Sequence, residues 1–103
     1  KQMVYTARNI KAEEALRIGL VNAVYPLEEL YGAAEKLASQ IAANAPIAVR
    51  ASKKAINEGL DLAMGEAVVV EEKAFGSCFE SQDQQEGMGA FLEKRKHEPF
   101  TNK

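Results

Sequence analysis

The side chains of this sequence that could do chemistry are few, and the densest group lies near the end. In GMGAFLEKRK, residues 87–96, a Gly- and Ala-rich helical turn meets one aromatic residue, followed by Lys94, Arg95 and Lys96 with only Glu93 against them. A cluster this short suits a single phosphate contact and not a nucleic-acid duplex, which needs a basic face or stripe. The one imidazole, His97, follows in HEPFTNK, which reads as a tail. A general base must be held within hydrogen-bond reach of its proton donor, and a tail does not do that. Cys78 stands between Phe75 and Phe79 on an apolar helix face with no cation beside it, so it reads as a small hydrophobe and not a reactive thiol. One Cys and one His cannot complete a structural tetrahedral metal site. The seven glycines are dispersed and form no phosphate loop. Adjacent carboxylates occur at Glu13/Glu14, Glu28/Glu29 and Glu71/Glu72. Neighbours on a helix point about 100° apart, so these pairs read as helix N-termini and solvated faces and not as acid–base dyads. The sequence therefore assigns no catalytic residue, no metal ligand and no cofactor.

Composition narrows the class further. The chain has 103 residues, one domain's worth, and 47% of them are apolar, enough for a hydrophobic core. The net charge of −2 excludes a nucleic-acid footprint over the whole chain. No apolar run approaches the ~18 residues of a membrane span. A single Cys cannot form an internal disulfide, and a cytoplasmic setting is the expectation. The N-terminal KQMVYTARN lacks both an apolar signal core and an initiator Met, so the chain reads as cut from something longer.

The periodicity predicts a mainly α chain of four to five helices with one short extended segment. NIKAEEALRIGL gives a short helix with Glu13 and Glu14 in its first turn and Gly19 as the residue that ends it. LVNAVY alternates and reads as extended, stopped by Pro26. Pro26 also suits the N1 position of a longer helix whose buried stripe is Leu30, Ala34, Leu37 and Ile41. A further helix starts at Pro46 and ends at Gly59. LAMGEAVVVEEKAFGSCFESQ reads as the next, long helix, with Met64, Ala67, Val68, Glu71, Phe75, Cys78 and Phe79 near one side and the stripe widened by Val69 and Val70, which predicts neighbours on more than one side. Ser81 caps the last helix, with Asp83 and Glu86 in its early turns and a basic end that suits the helix dipole. No repeat, low-complexity tract or linker interrupts the chain.

The order of these pieces carries a resemblance. YTARNIKAEEALRIGLVNAVYPLEEL is similar to the T-G-x-x-I-x-A-x-x-A-x-x-x-G-L-V-x-x-V-x-P segment of the enoyl-CoA hydratase (crotonase) superfamily, through Thr6, Ile10, Ala12, Ala15, Gly19, Leu20, Val21, Val24 and Pro26. IAANAPIAVRASKKAIN resembles its A-x-x-A-P-x-A-V-x-x-x-K-x-x-x-N stretch, and DQQEGMGAFLEKRKHEPF its D-x-x-E-G-x-x-A-F-x-E-K-R-x-x-x-F ending. The likeness is nearest to the short-chain enoyl-CoA hydratase and 3-hydroxybutyryl-CoA dehydratase members. Two departures are local: Ala7 stands where the family has Gly, and Lys11 where it has a Ser cap worth ~1 kcal/mol.

The resemblance implies that residues 1–103 are the C-terminal helical, oligomerisation region of an α/β crotonase fold, with the spiral catalytic core upstream of Lys1. It implies reversible hydration of short 2-enoyl-CoA, an acyl-CoA thioester substrate, no separate cofactor, and a homo-oligomer (a trimer or dimer of trimers in the full enzyme). The 103 residues alone are then expected to be inactive. It further implies that Phe91 and Lys94 approach the adenine and 3′-phosphate of CoA, with Lys53, Lys54, Arg95 and Lys96 as lesser candidates. Physics is compatible: an aromatic plane packs on a purine, an ammonium pairs with a phosphate, and a three-residue spacing puts both on one helix face. Without the resemblance, Phe91 reads as core and Lys94 as a solvated helix end. The alternatives are a stand-alone helical interaction module, whose partner surface would be the wide apolar face of residues 64–79, and an isomerase or hydrolase activity of the same superfamily.

Overall fold

A computed structural model describes residues 1–103 as six helices and no strand: α1 (Gln2–Thr6), α2 (Ala12–Arg17), α3 (Leu27–Ala42), α4 (Pro46–Gly59), α5 (Met64–Cys78) and α6 (Gln82–Leu92). The chain divides into two units, Lys1–Leu37 and Ala38–Lys103, with the boundary inside α3.

The first unit holds α1, α2 and most of α3. The additional helix is α1, which closes on Ala7 in the left-handed region at φ 50°. Lys11 makes no side-chain cap to α2. Arg8 instead reaches the first turn, donating to Glu14 Oε1 at 2.7 Å and Oε2 at 3.2 Å. That guanidinium holds the Glu14 carboxyl below its ordinary range. α2 ends as the sequence predicts: Gly19 takes φ +74°, its N–H bonds to Leu16 O at 3.1 Å, and Leu20 N–H bonds to Ala15 O at 2.8 Å. Those two bonds form the paired closure that satisfies orphan carbonyls at a helix end. Residues 20–26 form no ladder, because a single alternating segment has no second strand to pair with. Pro26 caps α3 from outside instead of opening it, since its carbonyl accepts from Glu29 and Leu30 N–H.

The second unit is built on the α4–α5 hairpin. Pro46 opens α4 at its first turn. Small side chains form the seam: Ala51, Ala55 and Gly59 on α4 and Ala67 and Ala74 on α5 are all half-buried. Gly59 sits inside α4 with a right-handed residue after it, so it is not the left-handed terminator the sequence suggests. Its smallness serves packing, because a Cβ there would meet Ala67 Cβ at 3.5 Å. Asn44 closes α3 by donating from Nδ2 to Gln40 O at 2.9 Å.

The core is small. Ala15 and Ala90 are the buried apolar residues, and no large side chain is fully buried. The stripe of Leu30, Leu37 and Ile41, expected to be buried, is exposed. On α5, Met64, Val68, Val69, Phe75 and the adjoining Phe79 are exposed too, so the covering on more than one side that the sequence predicts is not met within these residues. No helix is long and apolar enough to cross a membrane.

Candidate functional site

The end of α6 and the segment after it carry the chain's densest polar organisation. Ser81 starts α6 as predicted: its Oγ accepts from Gln84 N–H at 3.1 Å and donates to Cys78 O at 2.7 Å. One turn in, Asp83 is only 3% exposed. Its Oδ1 accepts from Thr101 N–H at 2.6 Å and Thr101 Oγ1 at 3.2 Å, and its Oδ2 accepts from Asn102 N–H at 2.8 Å. Three donors on one carboxylate satisfy the hydrogen bonding that its burial demands. The terminal residues are therefore a strap and not a loose tail. Gln82 N–H donates to Lys103 O at 2.7 Å, and Arg50 Nη2 of α4 reaches Asn102 Oδ1 at 2.5 Å. His97 stacks on Phe100 with ring centroids 4.3 Å apart, which gives it a packing role. The Phe100 ring lies against Gly87, where a Cβ would be 3.6 Å away.

Three residues after Asp83, on the same face of α6, Glu86 collects the other end of the strap. Arg95 donates to it through Nη1 at 2.6 Å and Nη2 at 3.0 Å, and Glu98 N–H donates to it at 2.8 Å. Arg95 Nε is also bound by Glu93 at 2.6 Å. The Arg95 guanidinium, then the Glu98 amide, hold the Glu86 carboxyl down at about 2. Charge-assisted, forked contacts of this type are the strong ones.

These contacts sort the basic cluster. Arg95 is occupied by two carboxylates, whereas Lys94 and Lys96 form no ion pair. Lys54 pairs with Glu58 at 3.9 Å and Lys53 with nothing. Phe91 is 77% exposed, so it is not core in this chain. Lys94 is not on the same helix face as Phe91, contrary to the spacing argument. α6 ends at Leu92, Glu93 is its cap, and Lys94 turns left-handed at φ 54°. Its N–H bonds to Phe91 O at 3.3 Å and Arg95 N–H bonds to Ala90 O at 3.0 Å. This is the closure seen at Gly19, built here on a lysine. The last carbonyls of a helix carry partial negative charge, and no free N–H faces outward. Any anion binding here rests on the Lys94 and Lys96 ammonium groups and not on the backbone.

A second feature of the same unit is an open groove of roughly 860 Å³ walled by α4, α5 and α6, with Ile56, Leu60, Val68, Phe75 and Phe79 on its apolar sides and Phe100 among its lining. Phe75 and Phe79 meet edge to face at 5.2 Å. Cys78 is half-buried in this wall and its Sγ contacts Ala74 O at 3.3 Å. No group of His, Cys, Asp and Glu side chains could hold a metal ion.

Residues 1–103 match the family described as enoyl-CoA hydratase/isomerase. The chain belongs to this family. It is 52% identical over 103 residues to the short-chain-enoyl-CoA hydratase of Clostridium acetobutylicum, covering all of this chain and 40% of that protein. It is 53% identical over 96 residues to the crotonyl-CoA hydratase of Syntrophomonas wolfei, covering 93% of this chain and 37% of that one. Among solved structures it is similar to the enoyl-CoA hydratase from Bacillus anthracis, with a TM-score of 0.92 and 37% identity over 100% of this chain and 40% of the other. The six-helix architecture is thus a helical part of the crotonase fold, and the chain spans about 40% of the length of these relatives.

The sequence points to Phe91 and Lys94 as candidates but not to Asp83 and Glu86 as the strap's anchors, since they read only as early-turn acids. The available signal was their three-residue spacing, which puts two acids on one helical face ahead of an Arg and a polar ending.

Proposed function

We propose that residues 1–103 are the C-terminal helical region of an enzyme that reversibly adds water to short-chain 2-enoyl-CoA. In this reading they supply subunit contacts and, at Phe91 and Lys94, the edge of the site for the CoA adenine and 3′-phosphate. The oxyanion-hole donors and the proton-transfer carboxylates belong to the catalytic core and lie outside these residues. The observation that carries the reading is the 52% identity, over the whole of this chain, to a short-chain-enoyl-CoA hydratase. Exposure of Phe91 and the unpaired Lys94 ammonium support the assignment of the CoA edge. The substrate is the acyl-CoA thioester and no further cofactor is invoked. The setting is cytoplasmic, and the subunits form a homo-oligomer through the exposed apolar faces.

The test is binding of CoA and of 3′-dephospho-CoA to the intact protein by calorimetry. An ammonium–phosphate contact is worth about tenfold or more in affinity. Lys94→Ala should remove most of the preference for the phosphorylated ligand and leave 3′-dephospho-CoA binding as it was. An undiminished preference would refute the assignment. The 103 residues alone should give no crotonyl-CoA hydration.

The open apolar groove favours a second reading, a helical interaction module with no ligand. It calls for self-association that does not respond to CoA, measured by sedimentation with and without the ligand.

A further inference from the structure

We propose that Glu86 and Arg95 are positioning residues for Lys94: their ion pair holds the chain in the left-handed turn at Lys94 and so fixes where the Lys94 ammonium points. The inference rests on the reading of Lys94 as the contact for the CoA 3′-phosphate and extends it to two residues that do not touch the ligand.

Lys94 adopts φ 54°, a backbone state that a lysine rarely takes and that its own side chain does nothing to favour. Its neighbours on both sides are pinned. Arg95 is forked onto Glu86 at 2.6 and 3.0 Å, and Glu93 holds the same guanidinium at 2.6 Å. Glu98 N–H ties the following chain to the same Glu86 oxygen that receives Arg95 Nη1, at 2.8 Å. The turn is therefore fixed from outside by a carboxylate three residues beyond Asp83, and Asp83 anchors the far end of the strap. Arg95 lies in the middle of the Lys94–Lys96 run, yet its guanidinium is bound by two acids, so it holds the turn and leaves the adjacent ammonium unpaired.

This assignment has a sign that simple electrostatics does not share. Replacing Glu86 by Gln removes a negative charge near the site and loosens a neighbouring cation. If only summed charge mattered, CoA would bind more tightly. If Glu86 positions Lys94, CoA binds more weakly, and the loss is confined to the part of affinity that depends on the 3′-phosphate.

The experiment measures Kd for CoA and for 3′-dephospho-CoA in the intact wild-type protein and in Glu86→Gln, Arg95→Gln, Lys94→Ala and Glu86→Gln/Lys94→Ala, with thermal unfolding as the check on folding. The expected result is a several-fold fall in the CoA/3′-dephospho-CoA preference for both Glu86→Gln and Arg95→Gln, and less than a twofold further change from Glu86→Gln once Lys94 is alanine. KM for an acyl-CoA should rise by a larger factor than kcat falls. Arg95→Gln keeps the proposal testable should Glu86→Gln not fold. The proposal is overturned, with the reading of Lys94 intact, if Lys94→Ala loses the preference while Glu86→Gln keeps or strengthens it. If Lys94→Ala keeps the preference, the reading of Lys94 has failed and the positioning role fails with it.

Discussion

Two helices of this chain end with the same pair of hydrogen bonds and reach that end differently. α2 stops at Gly19, a residue that adopts the left-handed turn without steric penalty and has open space where a Cβ would be. Nothing outside the turn is needed. α6 stops at Lys94, which takes the same turn against its intrinsic preference, and there the chain returns to brace it through Arg95, Glu98, Thr101 and Asn102. A left-handed cap is thus made either by residue choice or by outside support. The second solution keeps a long charged side chain at a position where glycine would supply none.

The largest effect is expected at Asp83, the buried anchor of the brace. Asp83→Ala removes the three hydrogen bonds that hold Thr101 and Asn102 to α6. Unfolding of the chain by denaturant should show a loss of about 2–3 kcal/mol, with fast amide exchange at Thr101 and Asn102. α2 has no equivalent residue to lose. At the other helix, Gly19→Ala meets no atom within 4 Å, so its effect isolates the backbone term. The expected cost is about 1–2 kcal/mol in thermal unfolding, with no change in ligand binding. The mirror substitution, Lys94→Gly, relieves that strain but frees the unfolded chain. The two effects oppose each other, and the net change should be a gain of less than about 1 kcal/mol, against lost phosphate preference. A clear destabilisation by Lys94→Gly would mean that the brace, and not the residue, sets the turn's energy.

The smallest effect is a pH dependence confined to α6. Glu86 titrates at about 2 in the folded chain, against an ordinary 4.5, because Arg95 and the Glu98 amide favour its charged form and His97 adds a further attraction. A depressed carboxylate contributes stability that is fully present above the ordinary value and is lost as pH falls toward the folded one. Amide protection at Glu98 should therefore decline between about pH 4.5 and 2. The closure at Gly19 carries no titrating group and should hold through that step, although Glu14, also held below its ordinary range by Arg8, loosens the start of the same helix.

Much of the local structure was legible because its causes are local. Gly19 ends α2, Pro46 opens α4 and Ser81 caps α6, each through its own backbone or side chain. The misreadings have physical reasons. Pro26 sits one residue outside α3 because a proline also serves as a carbonyl acceptor for the first turn. α1 carries no apolar periodicity that would announce five helical residues. Gly59 looks like a terminator but is small for the sake of Ala67. The stripe of Leu30, Leu37 and Ile41 has the spacing of a buried face, yet all three side chains are exposed.

At the candidate site, the arrangement expected from the sequence differs from the one observed. Counting three from Phe91 to Lys94 assumes that the helix continues, and it stops at Leu92. The partners that shape the site lie 9 to 19 residues apart in the chain, Glu86 with Arg95 and Glu98, and Asp83 with Thr101 and Asn102. No short-range period encodes such pairings. They depend on the chain folding back over α6.

The half-buried thiol of Cys78 lies in the wall of the open groove. It is the chain's single cysteine, so one modification event reports on one place. The rate at which a maleimide attaches there measures how often that wall is bare. Whatever seats itself between the helices will slow the labelling, and the slowing dates its arrival without any tag on the visitor.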